Sequence, residues 1–398
     1  MPLLLVVRFL LSLVSLAILG YAGYLLYEWY DGTQYVREAD GVLVRDRENW
    51  MLWLGLALLA FSGLGRFLLL PLLAKPDTDP SRAERSAGTM IKSASGADLY
   101  VESLGDRDRP TIVLTHGWSL DSTIWFYAKR DLLRDSRVVT WDLPGLGRSR
   151  PASSEGIALP VFAQDLRSVI EWTGAPSVVV VGHSIGGMTI QTLARDMPEF
   201  FSERIAGAVL LNTTYTNPLK TMILPRLMQA IRWPLLEPIM RIMIVLQPLV
   251  WLGAWQSYLS GSAHLANRLG FGKFVTRSQL DHVTLLSTRN PPANIMRGNL
   301  AMFRWDATGA LAKVPTPLLV VGGEVDIVTK PEAGATIAQT APNGRYLPVG
   351  GVNHMGFHEL SSTYDAEIAS FAGTCLLAAA SGVPAGQGSP PAGGERLV

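Results

Sequence analysis

Apolar positions along the chain come in two lengths of run, and the lengths divide it into two regions. Leu3 to Tyr27 carries a single charge, Arg8, and Met51 to Leu73 a single charge, Arg66. As helices, both runs can cross a hydrocarbon layer of about 30 Å, which takes roughly 20 residues. A secretory signal fits the first run less well, because it outlasts a typical h-region and no small-x-small cleavage site follows it. Trp50, Trp53 and Lys75 flank the second run as interfacial anchors. Residues 1–74 are therefore expected to form a two-helix transmembrane hairpin. Arg8, Arg66, Lys75, Arg82 and Arg85 fall on the side of the amino terminus, against Arg37, Arg45 and Arg47 in the loop. Arg8 and Arg66 sit near the two ends facing that side, where both can snorkel. A cationic excess marks the cytoplasmic side, so both termini and the bulk of the chain are expected there.

After Ala74 the pattern changes. Residues 75–87 are polar, with two prolines and several charges, and read as a linker. From Gly88, short β-rich runs alternate with helix-length segments: Met90 to Ser93, Leu99 to Ser103, Thr111 to Thr115, Val138 to Trp141, Val178 to Val181, Ala208 to Leu211 and Pro317 to Val321. Their continuous apolar character predicts central strands of a mostly parallel sheet covered on both faces. Between Asn212 and Leu311 the rhythm stops. That stretch is rich in Leu, Ile, Met and Trp, and Pro225, Pro234, Pro238 and Pro248 mark breaks between helices. The tail from Ser381 to Val398 is rich in Gly, Pro, Ala and Ser and reads as disordered.

Composition narrows the function. The net charge is +1, which gives no electrostatic case for a nucleic-acid partner. The single cysteine, Cys375, excludes an internal disulfide and a cysteine metal site. At 48% hydrophobic residues, the chain is apolar for a soluble enzyme.

The chemistry is carried by one ordered set of residues. Gly182-His183-Ser184-Ile185-Gly186 follows a predicted strand and precedes a helix-compatible run, which is the setting a nucleophile elbow requires. A serine hydroxyl needs a base, and the base needs an orienting acid. Asp326, just past the strand ending at Val321, is the acid chosen here, with Glu324 its competitor. His354, on a Gly-rich loop, is the base, with His358 its competitor one turn on. An oxyanion hole needs two backbone N–H groups. Ile185 supplies one, and Trp118, in the loop after Thr111 to Thr115, the other. For each histidine, an ordinary structural role is the competing reading.

With these residues in order, the chain from about Gly88 to Ala380 resembles the α/β-hydrolase fold superfamily. The matching features are His116-Gly117-Trp118, the turn from Asp142 to Ser149, the elbow at Ser184, the run ending at Asp326, and His354 followed by Glu359. The resemblance implies a mostly parallel sheet with helices on both faces and a helical cap over residues 213–311. It implies turn and support roles for Asp142 and His183. It implies a serine esterase or monoacylglycerol-lipase-like hydrolase with no cofactor and no metal, acting on a small-molecule or lipid ester and held to the membrane by the hairpin. The cap's apolar surplus fits either a lipophilic pocket or the cap's own core. Relatives with aspartate at the nucleophile position open epoxides or remove halides, which Ser184 argues against. Thioester, carbon–carbon, acyl-transfer and haloperoxidase-like chemistry stay open, as does a non-catalytic ligand-binding member of the fold.

Overall fold

The computed structural model describes residues 2–32 and 34–381; the tail expected from Ser381 onward lies, beyond Ser381 itself, outside them. Helices α1 (Pro2–Asp31) and α2 (Asn49–Leu73) pair as a hairpin. Both are long and apolar enough to cross a membrane, over Leu5–Asp31 and Asn49–Leu73. Between them, β1 (Gln34–Arg37) and β2 (Leu43–Asp46) form an antiparallel ribbon not expected from the sequence. Its signal was there: Asp40-Gly41 sits between alternating valines, and Gly41 adopts φ +87°.

The body is an eight-stranded sheet in the order β3-β4-β6-β5-β7-β8-β9-β10. The strands are β3 (Gly88–Lys92), β4 (Asp98–Leu104), β5 (Thr111–Thr115), β6 (Arg137–Trp141), β7 (Val178–His183), β8 (Ile205–Leu211), β9 (Leu318–Gly323) and β10 (Gly344–Val349). From β6 to β10 all pairings are parallel; β3 and β4 join antiparallel at one edge. Every residue of β5, β7 and β9 is buried. Strand alternation then divides them between the two faces. Val113, Val178, Val180 and Val320 enter one core, and Ile112, Val179, Val181 and Val321 the other. A strand buried on both sides has no polar face to show, which is why these runs look uniformly apolar.

Helices fill the space between β8 and β9, including Glu237–Val245, Gln247–Leu259, Ser262–Arg268, Arg277–Arg289 and Pro292–Met302. The chain bends by 97° between Val245 and Gln247, next to Pro248. These helices grip the hairpin through small residues that allow close approach. A side chain at Gly65 would strike the Ser260 carbonyl, and one at Gly253 would meet Leu16 and Ser12. Ser15 Oγ lies 2.6 Å from Ser262 Oγ, and Gln256 donates to the Ser62 carbonyl at 3.1 Å. The segment 75–87 is strapped to the body. Lys75 pairs with Val275 and Arg277 through its backbone, and Arg85 meets Asp121 at 2.9 Å and Asp142 at 3.0 Å.

Candidate active site

Ser184 stands at the sharp turn between β7 and the helix Ile185–Asp196. Its φ of 53° and ψ of −114° lie where an L-residue is strained, at a cost of about 1–3 kcal/mol. The neighbours enforce the turn. Side chains at Gly182 and Gly186 would strike the backbone of Gly186 and of Thr115 respectively. The Ser184 N–H donates to the Leu211 carbonyl at 2.9 Å, and Thr213 Oγ1 donates to the Ser184 carbonyl at 2.6 Å. Strand β8 thus pins the elbow from the side.

The structure brings the three residues singled out by the sequence into one hydrogen-bonded chain. Ser184 Oγ lies 3.0 Å from His354 Nε2, and His354 Nδ1 lies 3.0 Å from Asp326 Oδ2. An ionised carboxylate only accepts, so Nδ1 carries the proton and Nε2 is left to accept from the serine hydroxyl. Asp326 also accepts from Val328 N at 2.7 Å, Thr329 N at 2.9 Å, Thr329 Oγ1 at 2.8 Å and Asn212 Nδ2 at 3.0 Å. Burial pushes this carboxyl up, but His354 and these donors outweigh it and hold it below the usual carboxylate range. The histidine loop is fixed in turn: Asn353 Oδ1 accepts from the N–H groups of His354 and Ile327.

The competitors lie elsewhere. Glu324 is exposed at the end of β9. His358 is buried beside His282, and both face Ser81 Oγ, at 3.1 Å from His358 Nε2 and 2.5 Å from His282 Nδ1. His183 packs on His354, with ring centroids 4.9 Å apart, and its Nε2 donates to the His354 carbonyl at 3.0 Å. Burial, with His354 alongside, holds His183 well below the ordinary imidazole range, so it is a neutral donor fastening the His354 loop. Asp142 accepts from Ser122 N and Arg148 N and closes its turn.

Ile185 opens its helix, where the first N–H groups have no intrahelical acceptor. The Trp118 N–H has no hydrogen-bond partner among the described residues. The Trp118 indole donates to the Ile295 carbonyl at 2.9 Å, fastening this loop to the helix Pro292–Met302. A narrow cavity of about 60 Å³ opens at His354, walled by Trp118, Leu120, Val283 and Met355 and, from α1, by Leu5 and Arg8. The part played by α1 was missed by the sequence reading, as were Asn212, Thr329 and Asn353. Asn212, just past β8, has φ +44°, but nothing local in the sequence marks any of these contacts.

A strained serine turn at the end of a central strand of a mostly parallel sheet, with Asp326 and His354 on the two loops that follow later strands, is the arrangement of a class of α/β proteins. The chain belongs to the alpha/beta hydrolase fold family, whose sequence profile matches residues 110–359. A bifunctional esterase/perhydrolase from Acinetobacter calcoaceticus is 32% identical over 132 residues, 33% of this chain and 46% of that protein. The chain thus aligns with less than half of that relative's length. A pimeloyl-[acyl-carrier protein] methyl ester esterase from Nitrosospira multiformis is 25% identical over 69% of this chain and 98% of its own length. Among solved structures, an esterase from Exiguobacterium antarcticum superposes with a TM-score of 0.58 at 18% identity, covering 72% of this chain and all of that one; at that identity the likeness concerns the fold.

Proposed function

We propose that this chain is a serine hydrolase that cleaves carboxylic esters of lipophilic substrates. The observation that carries the reading is the Ser184–His354–Asp326 chain, with both links at 3.0 Å. Ser184 Oγ attacks the acyl carbonyl as His354 Nε2 takes its proton. The carbonyl electrons move to the oxygen, which the N–H groups of Ile185 and Trp118 receive. Collapse expels the alkoxide, which takes the proton from His354. Water then gives a proton to His354 and its hydroxide to the acyl carbon; the acid leaves and Ser184 regains its proton. Asp326 holds the imidazole in the productive tautomer throughout. No step calls for a metal or cofactor.

The hairpin is read as a membrane anchor that keeps the site at the bilayer surface, with the catalytic domain on the cytoplasmic side. Exposed Tyr24, Tyr27, Tyr30, Trp50 and Trp53 cluster at its loop end, as an interfacial belt does. Counting roughly 20 residues back from Tyr27 ends beside Arg8, level with the cavity at His354. Exposed Leu249, Leu252 and Trp255 on the helix packed against α1 extend the apolar surface. A fluorophosphonate probe tests the chemistry: labelling is expected in the intact chain and absent in Ser184→Ala. Folded wild-type protein that does not label would sink the reading. Reporter activity from the extracytoplasmic side, after fusion behind Val398, would overturn the orientation.

A further inference from the structure

The first helix does more than approach the site, because the one charge of its apolar run Leu3–Tyr27, Arg8, faces inward. Arg8 lines the cavity at His354 and also a second, mainly apolar cavity walled by Phe9, Met243, Val250 and Ile295. Leu5, Arg8 and Ser287 are common to both, so the arginine stands where the two meet. Among the residues lining either space, Arg8 is the only Lys, Arg, Asp or Glu. Its side chain makes one long hydrogen bond, 3.4 Å to Thr288 Oγ1. It forms no ion pair among the described residues. A guanidinium offers five donors in a rigid fork suited to carboxylate or phosphate. In an apolar setting a cation without a counter-ion is costly. An arginine held this way, beside the reacting histidine, is unfinished until an anion arrives.

We propose that Arg8 is a specificity-determining residue and that the substrates are amphipathic esters bearing an anionic group, a carboxylate or a phosphate, which pairs with Arg8. The transmembrane helix then reads the substrate as well as holding the protein at the bilayer. This rests on the hydrolase reading above, since the anion matters only for a substrate that also reaches Ser184.

The test uses the full chain in a neutral maltoside detergent free of phospholipid. Two matched pairs are compared: p-nitrophenyl esters of hexanedioic and hexanoic acid, and 1-hexanoylglycerol 3-phosphate beside 1-hexanoylglycerol. A hydrogen bond to a charged group contributes about 1.5–3 kcal/mol, so Arg8→Gln is expected to lose roughly 10- to 100-fold in kcat/KM. That loss should fall on the anionic member of at least one pair, mainly through KM, with the neutral member within about threefold. Arg8→Lys should recover part of it. Equal losses on both members of both pairs, or none, overturn the proposal. Loss of anion selectivity only when phosphatidylglycerol is added would assign Arg8 to a lipid headgroup and overturn it too. If wild-type protein turns over none of the esters, the hydrolase reading fails separately. Titration with the non-hydrolysable N-propyl monoamide of hexanedioic acid, against N-propyl hexanamide, still decides whether Arg8 selects the anion.

Discussion

The site has two walls of different construction. The wall at Ser184 is made by the sheet: a strained turn held by glycines, flanked by β5 and β8, with the Asp326 carboxylate held by donors on loops at strand ends. The wall facing it is made by helices from distant parts of the chain, α1 and those between β8 and β9, which meet through small residues and a few hydroxyls. In the proposed hydrolase the first wall fixes which atoms react. The second, in the same proposal, selects which molecules enter, and its side chains lie apart from the Ser184–His354–Asp326 chain.

Removing the relay should give the largest effects. Ser184→Ala is expected to lower kcat about 10⁵-fold, and Asp326→Asn about 10³- to 10⁴-fold through the wrong imidazole tautomer. Both should leave the circular dichroism spectrum unchanged, and steady-state ester kinetics check the losses. An Asp326→Asn loss under tenfold would mean that the loops, and not the carboxylate, orient His354.

Acidity probes how the strap and the helical wall are held to the body. His282, joined to Ser81 of the strap, is pushed down to about 4 by burial. Its affinity for a proton is therefore lower in the folded than in the unfolded state, where the ordinary value near 6.5 applies. The unfolded chain gains the proton first as pH falls, so stability should decline from about pH 6.5 and level off below about 4. The loss from this residue is at most about 3 kcal/mol. Thermal midpoints across that range, compared with His282→Gln, measure it; a flat difference between the two proteins would exclude a buried neutral imidazole.

The walls meet where Trp118 fills the slot left by Gly298. A side chain there would overlap the indole ring, and Gly298→Ala is expected to cost about 1–3 kcal/mol. A drop in urea midpoint with an unchanged slope is the expected reading. The smallest effect sharpens the comparison most. Leu5→Ala should raise KM for long-chain esters about threefold, near the worth of a shortened apolar contact, while short-chain kcat stays put. A matching loss of kcat would show that α1 also shapes the relay.

The two walls were also unequally legible. β5, β7 and β9 were visible because burial on both faces writes a solid apolar run, and the elbow because strand, turn chemistry and helix coincide around Ser184. Asp326 and His354 followed from chain order. The ribbon β1–β2 was missed although Asp40-Gly41 marked it. Arg8 was expected to snorkel toward water, as a lone cation near the end of an apolar helix does. The structure places it at the cavity, with its guanidinium donating to Thr288. No pattern within α1 records this, since the partners lie more than 200 residues away.

The sharing of one cavity between Leu5 and Met355 would also order events during biosynthesis of the proposed membrane-anchored protein. Helix α1 leaves the ribosome long before the His354 loop, and its apolar length suits early transfer into the bilayer. In the proposed membrane-anchored protein, the pocket would be completed only when the last strands add to the sheet and the folded body meets a helix already in place. Trimming the hairpin would leave Ser184, His354 and Asp326 in the sheet but take away the side of the cavity that Leu5 and Arg8 supply.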